Sequence, residues 1–314
     1  MTRPTVFFSR RILCLLAATV AFAGTAWAAE PRMPGKAFRR GFDAITRQNA
    51  EASLRFLASD AMRGRLAGSQ EGQITAQYII SELEQAGYAG QIAEQRFTGR
   101  KGEKLRNVLA ILPGRDTTRR LVVGAHFDHE GTKNGAVFHG ADDNASGTAV
   151  LLELARAAKA AGVRPAHTLV LAFWDGEERG LLGSRHYVSE LGCDTASVIC
   201  YINFDMVGRN TDENRPALFR YFYTESEPRF REWFDRSVAA GRLQHLEADY
   251  RPCDRTIGGS DNMSFARAGI PIVWYHTDGH PDYNKPTDTA DRINYPKLLD
   301  IARSAWYLIW RMAY

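Results

Sequence analysis

The sequence is poor in cysteine and has no strong excess of charge of either sign. Its 314 residues include four cysteines and no Cys-x-x-Cys pair, which argues against a zinc-thiolate site. Internal repeats, low-complexity segments and long Pro/Ser linkers are absent. Hydrophobic residues make up 45% of the chain and charged residues 24%, so fibrous and disordered classes are excluded. We expect a globular protein with a sizeable core.

The first 28 residues have the features of a secretory signal peptide. They contain three arginines and no acid, and their apolar stretch ends in Ala26-Trp27-Ala28. This stretch is too short and too rich in alanine to favour a permanent membrane span, although an uncleaved anchor is the alternative. We predict cleavage before Ala29, a single mature domain over 29–314, and a periplasmic or secreted protein.

Removing the leader changes how the charge is interpreted. The whole chain has a net charge of +4 from 40 basic and 36 acidic residues, and three of the basic residues lie in the leader. The mature chain is therefore nearly neutral, which does not favour a nucleic-acid partner. Its cysteines are Cys193, Cys200 and Cys253. An exported protein can form a disulfide, and Cys193 and Cys200 are the nearest pair, but the sequence leaves the pairing open.

Buried strands and amphipathic helices alternate along the mature chain. Helical periodicity covers 36–58, 72–86, Ser146–Ala161 and Tyr295–Ala313. Nearly continuous apolar runs indicate strands at Asn107–Leu112, Leu121–Ala125, Thr168–Trp174, Val198–Phe204 and Ile270–Tyr275. This alternation predicts an α/β fold, a three-layer αβα sandwich with a mixed, largely parallel central sheet.

Polar side chains follow three of these predicted strands. Leu121–Ala125 continues into His126-Phe127-Asp128-His129, Thr168–Trp174 into Asp175-Gly176-Glu177-Glu178, and Val198–Phe204 into Asp205. The loop Gly140–Gly147 adds Asp142 and Asp143. Because the carboxyl ends of parallel strands meet at one edge of a sheet, we expect these side chains to lie close together.

Imidazole combined with several carboxylates is the ligand set of zinc or another divalent transition metal. So many acids could not stay ionised together without a compensating cation. Taken singly, each residue has a simpler role, since an acid before a helix can cap it and an acid after a strand can belong to a turn. The joint arrangement favours a metal site.

Four longer strings support this interpretation: GAHFDH, GADDNASGTAVLLELA, FWDGEERGLLGS and NFDMVG. They resemble the zinc exopeptidases of metallopeptidase family 28, which include bacterial leucine aminopeptidases and glutamate carboxypeptidase, with glutaminyl cyclases as relatives. The resemblance extends from LASDAMRGRLAGS to HPDYNKPTDTADRINY. It implies a zinc-dependent exopeptidase, above all an aminopeptidase acting on peptides, with one catalytic domain and no inserted protease-associated domain.

The resemblance also implies a set of metal ligands. His126 and Asp205 would bind one zinc ion, Asp143 would bridge two ions, and Glu178 would bind the second. These four residues occupy the matching positions of the family's motifs.

Further roles follow from the same resemblance. Glu177 would be the general base for a metal-activated water, and Asp128 would orient the His126 ring through its second nitrogen. The Asp143–Asn144 peptide is expected to be cis. Arg65 lies in a turn that resembles the family's N-terminal Gly-Arg turn and is expected to be structural, with a substrate contact as the alternative.

The last ligand of the family is replaced in this chain. The family has a histidine in the segment Asp-Tyr-His-x-Pro-x-Asp-Thr, and this chain has Asn284 there. An amide oxygen is a poorer zinc donor than imidazole. Three outcomes are open: His280 reaches the metal instead, Asn284 binds a harder ion such as Mn²⁺ or Mg²⁺, or the second site is empty.

Two other functions are weighed against a hydrolase. A glutaminyl cyclase-like acyltransferase would keep one zinc ion at the Glu178 site together with the late histidine, which this chain lacks. A catalytically degenerate peptide- or metal-binding homologue would have no use for Glu177, which is present. We therefore expect a working hydrolase with an altered second site.

Overall fold

The structure is a computed structural model that describes residues 33–253 and 259–314. The predicted signal peptide and its cleavage site lie outside the described residues. Within the described ranges, no helix combines the length and the apolar character needed to cross a bilayer.

The helices follow the apolar periodicity of the sequence, with one break. They are α1 Lys36–Ala44, α2 Arg47–Leu57, α3 Gln70–Leu83, α4 Gly147–Ala161, α5 Leu182–Leu191, α6 Arg229–Gly241, α7 Asn262–Arg267 and α8 Tyr295–Ala313. The prediction of one helix over 36–58 is wrong, because Ile45 and Thr46 have extended backbone. The Thr46 hydroxyl caps α2 by accepting a hydrogen bond from the backbone N–H of Asn49.

Ten strands are described, and eight of them form one mixed sheet. The strands are β1 Ile92–Thr98, β2 Lys104–Leu112, β3 Asp116–His126, β4 Thr132–Lys133, β5 Ala136–Val137, β6 His167–Trp174, β7 Val198–Phe204, β8 Leu218–Tyr223, β9 Glu247–Pro252 and β10 Ile272–His276. The sheet order is β1-β2-β6-β3-β7-β10-β8-β9, and β4 pairs with β5 separately.

The parallel centre of the sheet agrees with the sequence prediction. Strands β6, β3, β7 and β10 pair in parallel, whereas β1 with β2, β2 with β6, and β10 with β8 are antiparallel. The five predicted apolar strands are all present. The outer strands β1, β8 and β9 were not predicted, because their residues are only partly buried and do not form continuous apolar runs.

Helices cover both faces of the sheet, so the predicted three-layer αβα sandwich is confirmed. The larger core packs α1, α3, α4 and α8 against one face. The smaller core packs Tyr187 of α5 and Phe265 of α7 against the other face, around Trp174 and Tyr201. The two cores place the carboxyl ends of the central strands at one open edge.

The cysteines nearest in sequence form no disulfide. Cys200 lies on β7 and is buried in the larger core, whereas Cys193 is exposed. Because the Cys200 sulfur is buried in the core, it is separated from the exposed sulfur of Cys193.

Gly41 allows α1 to pack closely against α4 and α8. A Cβ atom at Gly41 would lie 2.5 Å from the Trp306 ring and 2.8 Å from the carbonyl oxygen of Ala157. We expect Gly41→Val to lower the free energy of unfolding by about 1–3 kcal/mol, the usual cost of overpacking. Denaturant unfolding measures this. Gly279→Val is the control, since a Cβ there has no atom within 4 Å, and an equal loss in both variants would contradict the explanation.

Candidate metal centre

Three neighbouring parallel strands bring the predicted residues to one edge of the sheet. His126 is the last residue of β3 and lies opposite Trp174, the last residue of β6. Glu177 and Glu178 follow β6, and Asp205 follows β7 on the other side of β3. The topology therefore gathers an imidazole and three carboxylates, as the strand ends predicted.

The side chains form two adjoining groups of possible metal donors. The first contains His126, Asp143 and Asp205, and the second contains His129, Asp143 and Glu178. Within each group the donor atoms all lie within 4.8 Å of one another. The Nε2 atom of His126 is 3.5 Å from Asp143 Oδ1 and 3.6 Å from Asp205 Oδ1.

Asp143 belongs to both groups. Its Oδ1 faces His126, and its Oδ2 lies 3.7 Å from Nδ1 of His129. Burial raises the pKa of Asp143 well above its usual range, and the neighbouring carboxylate of Glu178 raises it further. Because buried carboxylates this close cannot all stay ionised without a cation, the donor set fits divalent zinc.

The His126 ring is oriented for metal binding. Its Nδ1–H donates to the backbone carbonyl oxygen of Asp128 at 3.1 Å. Its buried Nε2, directed toward Asp143 and Asp205, has no hydrogen-bond partner among the described residues. An unpaired ring nitrogen of this kind is what a metal ion would satisfy.

The carboxylate of Asp128 lies near the His126 ring and also contacts the loop after β6. It lies 3.6 Å from His126 Nδ1, and that nitrogen donates its hydrogen bond to the backbone carbonyl oxygen of Asp128. The carboxylate accepts the backbone N–H groups of Glu177 and Glu178, at 3.0 and 3.3 Å. Asp128 therefore positions the loop after β6.

The loop that carries Asp143 is held from two sides. The Asp143–Asn144 peptide is cis, as expected. The Asn144 side chain donates to the carbonyl oxygen of Phe204 and accepts the N–H groups of Gly147 and Met206. On the other side, the carboxylate of Asp288 accepts the backbone N–H of Asp143 at 3.2 Å.

His280, one of the two expected substitute ligands, lies in neither donor group. His280 accepts the backbone N–H of Asp282 at Nδ1, and its Nε2 is 3.4 Å from Asp142 Oδ2. It thus supports the loop rather than the donor groups. Asn284 is exposed and has a left-handed backbone, with φ of 52°.

His129 is the donor that sequence reasoning missed. It follows His126 by three residues in the string GAHFDH, and that second histidine beside a predicted ligand was the available signal. The structure places its ring at the second group, with Nδ1 3.0 Å from Glu178 Oε1.

Arg65 lies fully buried behind the donor groups. Its Nε donates to the carbonyl oxygen of Phe127, its Nη1 to those of Leu57 and His139, and its Nη2 to that of Gly140, at 2.6–2.9 Å. Burial lowers the pKa of Arg65 to about 10. The side chain joins three chain segments, and its burial rules out the substrate contact left open by the sequence.

The Arg65 contacts predict a large loss of stability on substitution. We expect Arg65→Met to lower the free energy of unfolding by about 3 kcal/mol or more, because several buried carbonyl groups would lose their donor. Arg63→Met is the matched control, since the Arg63 side chain is 60% exposed and makes one weak ion pair. Denaturant unfolding of both variants tests the difference, and similar losses would argue against this role for Arg65.

A cleft of about 490 Å³ opens above the donor groups. Its inner end is lined by Asp143, Glu177, Glu178 and Asp205. Its outer wall comes from β8, β9 and β10 and contains Arg220, Phe222, Arg251, Trp274 and His276. The rings of Phe222 and Trp274 are stacked with centroids 4.7 Å apart.

This fold matches that of solved zinc aminopeptidases. The solved Legionella pneumophila LapA aminopeptidase matches it with a TM-score of 0.72 at 23% identity, over 88% of this chain and 74% of the other. The family model for peptidase family M28 matches residues 107–309. The chain belongs to peptidase family M28, so the family indicated by the motifs is confirmed.

Curated relatives agree with this family. Leupeptin-inactivating enzyme 1 of Streptomyces exfoliatus is 32% identical over 243 residues, which cover 77% of this chain. The chain spans only 50% of that relative's length. A protein of Arthroderma otae named "Probable leucine aminopeptidase" is 27% identical, over 77% of this chain and 67% of its own length.

Proposed function

We propose that this protein is an exported, metal-dependent aminopeptidase that removes N-terminal residues from peptides. The observation that carries the proposal is the pair of donor groups that share Asp143 at the inner end of a cleft, with Glu177 beside them. Family membership and the names of the relatives support a peptidase.

Two zinc ions suit the donors. Each group offers one imidazole and two carboxylates, and Asp143 directs a different oxygen to each histidine. When bound, zinc ions lower the pKa of water and polarise a carbonyl oxygen.

Glu177 has the position of a general base. It lines the cleft but belongs to neither donor group, and its backbone N–H is held by Asp128. Burial raises the pKa of Glu177 well above its usual range, and a higher proton affinity favours a carboxylate that accepts and returns a proton. Glu177 takes a proton from water as the water oxygen bonds to the peptide carbon. It then gives that proton to the amine nitrogen as the C–N bond breaks.

The cleft charges favour aminopeptidase over carboxypeptidase polarity. Nε of Arg220 donates to Asp278 at 2.6 Å, and its Nη1 donates to Asp249 at 3.0 Å. Arg251 pairs with the same oxygen of Asp249. A substrate's C-terminal carboxylate would therefore meet no unpaired arginine in the described lining of the cleft. Trp274 offers an apolar wall for the side chain of an N-terminal residue.

Glu177→Gln tests the proposed chemistry. We expect kcat for an aminoacyl amide to fall by about 10²–10⁴-fold, because the amide cannot accept the proton. Metal content measured by mass spectrometry is expected to stay unchanged. Glu190→Gln, on the exposed side of α5, is the control. Unchanged turnover in Glu177→Gln would refute this mechanism, and equal cleavage of N-terminally blocked peptides would refute the aminopeptidase assignment.

Export is tested by the mature N-terminus. We expect N-terminal sequencing of the full chain, expressed in a bacterial host and recovered outside the cytoplasm, to begin at Ala29, since signal peptidases require small residues before the cut. Ala28→Lys would block this cleavage and leave the longer chain. Recovery of an intact chain in the cytoplasm from the unaltered gene would contradict the proposal.

A further inference from the structure

We infer that His129 supplies the imidazole ligand of the second metal, in place of the histidine that Asn284 replaces. The inference rests on the two-metal form of the proposed function. It places the imidazole ligand of the second metal in the segment that follows β3, rather than in the loop before α8.

The donor geometry supports this assignment. Nδ1 of His129 lies 3.0 Å from Glu178 Oε1 and 3.7 Å from Asp143 Oδ2. The His129 side chain is fully buried, while that of Glu178 is 15% exposed toward the cleft. The three donor atoms therefore surround one point beside the first group.

The protein holds the His129 ring in this place. The backbone N–H of His129 donates to the carbonyl oxygen of Arg65, and a bridge pairs His129 with Leu66. A Cβ atom at Gly140 would lie 2.5 Å from the ring, so glycine leaves the space that the imidazole fills. The Arg65 guanidinium in turn fixes Gly140 by donating a hydrogen bond to the carbonyl oxygen of Gly140. These contacts hold the buried His129 ring in a fixed position within the site.

The two alternative residues lie in different surroundings. His280 uses Nδ1 as an acceptor for Asp282, and its Nε2 faces Asp142. Asn284 is exposed. With His129, both groups have the same composition, one imidazole and two carboxylates, so the second site need not select a harder ion than the first.

Metal titration distinguishes the ligands. The mature chain is stripped of metal, and Zn²⁺ binding is followed by calorimetry and by metal analysis. We expect two ions per wild-type chain. His129→Asn should keep the first ion and lower the affinity for the second Zn²⁺ ion by about tenfold or more. This is a conservative bound, because loss of a residue that only supports a metal ligand already lowers metal affinity by about 10–100-fold. His186→Ala, at a partly exposed position of α5 outside both donor groups, is the control and should bind two ions.

A reverse substitution and a second variant complete the experiment. Asn284→His alone should leave the wild-type stoichiometry at two, because the site already has its imidazole. If His129→Asn fails to fold, His129→Gln is used, and thermal unfolding of the metal-free forms verifies folding. Two ions bound with wild-type affinity by the His129 variants would overturn the inference. So would a wild-type chain that binds one ion and gains a second through Asn284→His.

The outcomes also separate this inference from the proposed function. A wild-type chain that binds two ions but cleaves no aminoacyl substrate would refute the function and leave the ligand assignment intact. An active wild-type enzyme whose His129 variants keep both ions would refute only the assignment.

Discussion

The crowding of buried carboxylates around Asp143 is the constraint on which the rest of the site depends. Glu177, Glu178 and Asp205 lie beside this residue, and burial together with these neighbouring charges raises the pKa of Asp143 well above its usual range. Two histidines face the cluster through ring nitrogens suited to a metal. A divalent cation is the charge that would let these acids stay ionised together, so the site and its metal are one electrostatic unit.

The surrounding protein works mainly through backbone groups. Asp128 and Asp288 accept N–H groups of the segments that carry the acids, and Arg65 donates to carbonyl groups behind them. These hydrogen bonds fix the chain segments without adding another charge to the cleft. The central parallel strands provide the rigid edge from which the segments emerge, which is the arrangement that holds ligands in place.

Much of the fold and of the site could be predicted from the sequence. Continuous apolar runs revealed the central strands because both faces of those strands are covered, and polar residues after them revealed the shared edge. The partly buried outer strands lacked that signal, and two of them, β8 and β9, form part of the wall of the cleft. The break between α1 and α2 was missed because apolar periodicity continues across Ile45 and Thr46, while the backbone there is extended.

The sequence by itself determined the donor types, the order of the motifs and the replacement of a family histidine by Asn284. It could not decide which side chain takes that place, since His129 is far along the chain from His280 and Asn284, and spacing in the sequence carries no information about distance in the fold. The tertiary structure supports our assignment of His129, because it packs that ring against Gly140 beside Asp143 and Glu178 and directs His280 toward Asp142. Ligand identity depends on where a ring nitrogen points, and only packing sets that direction.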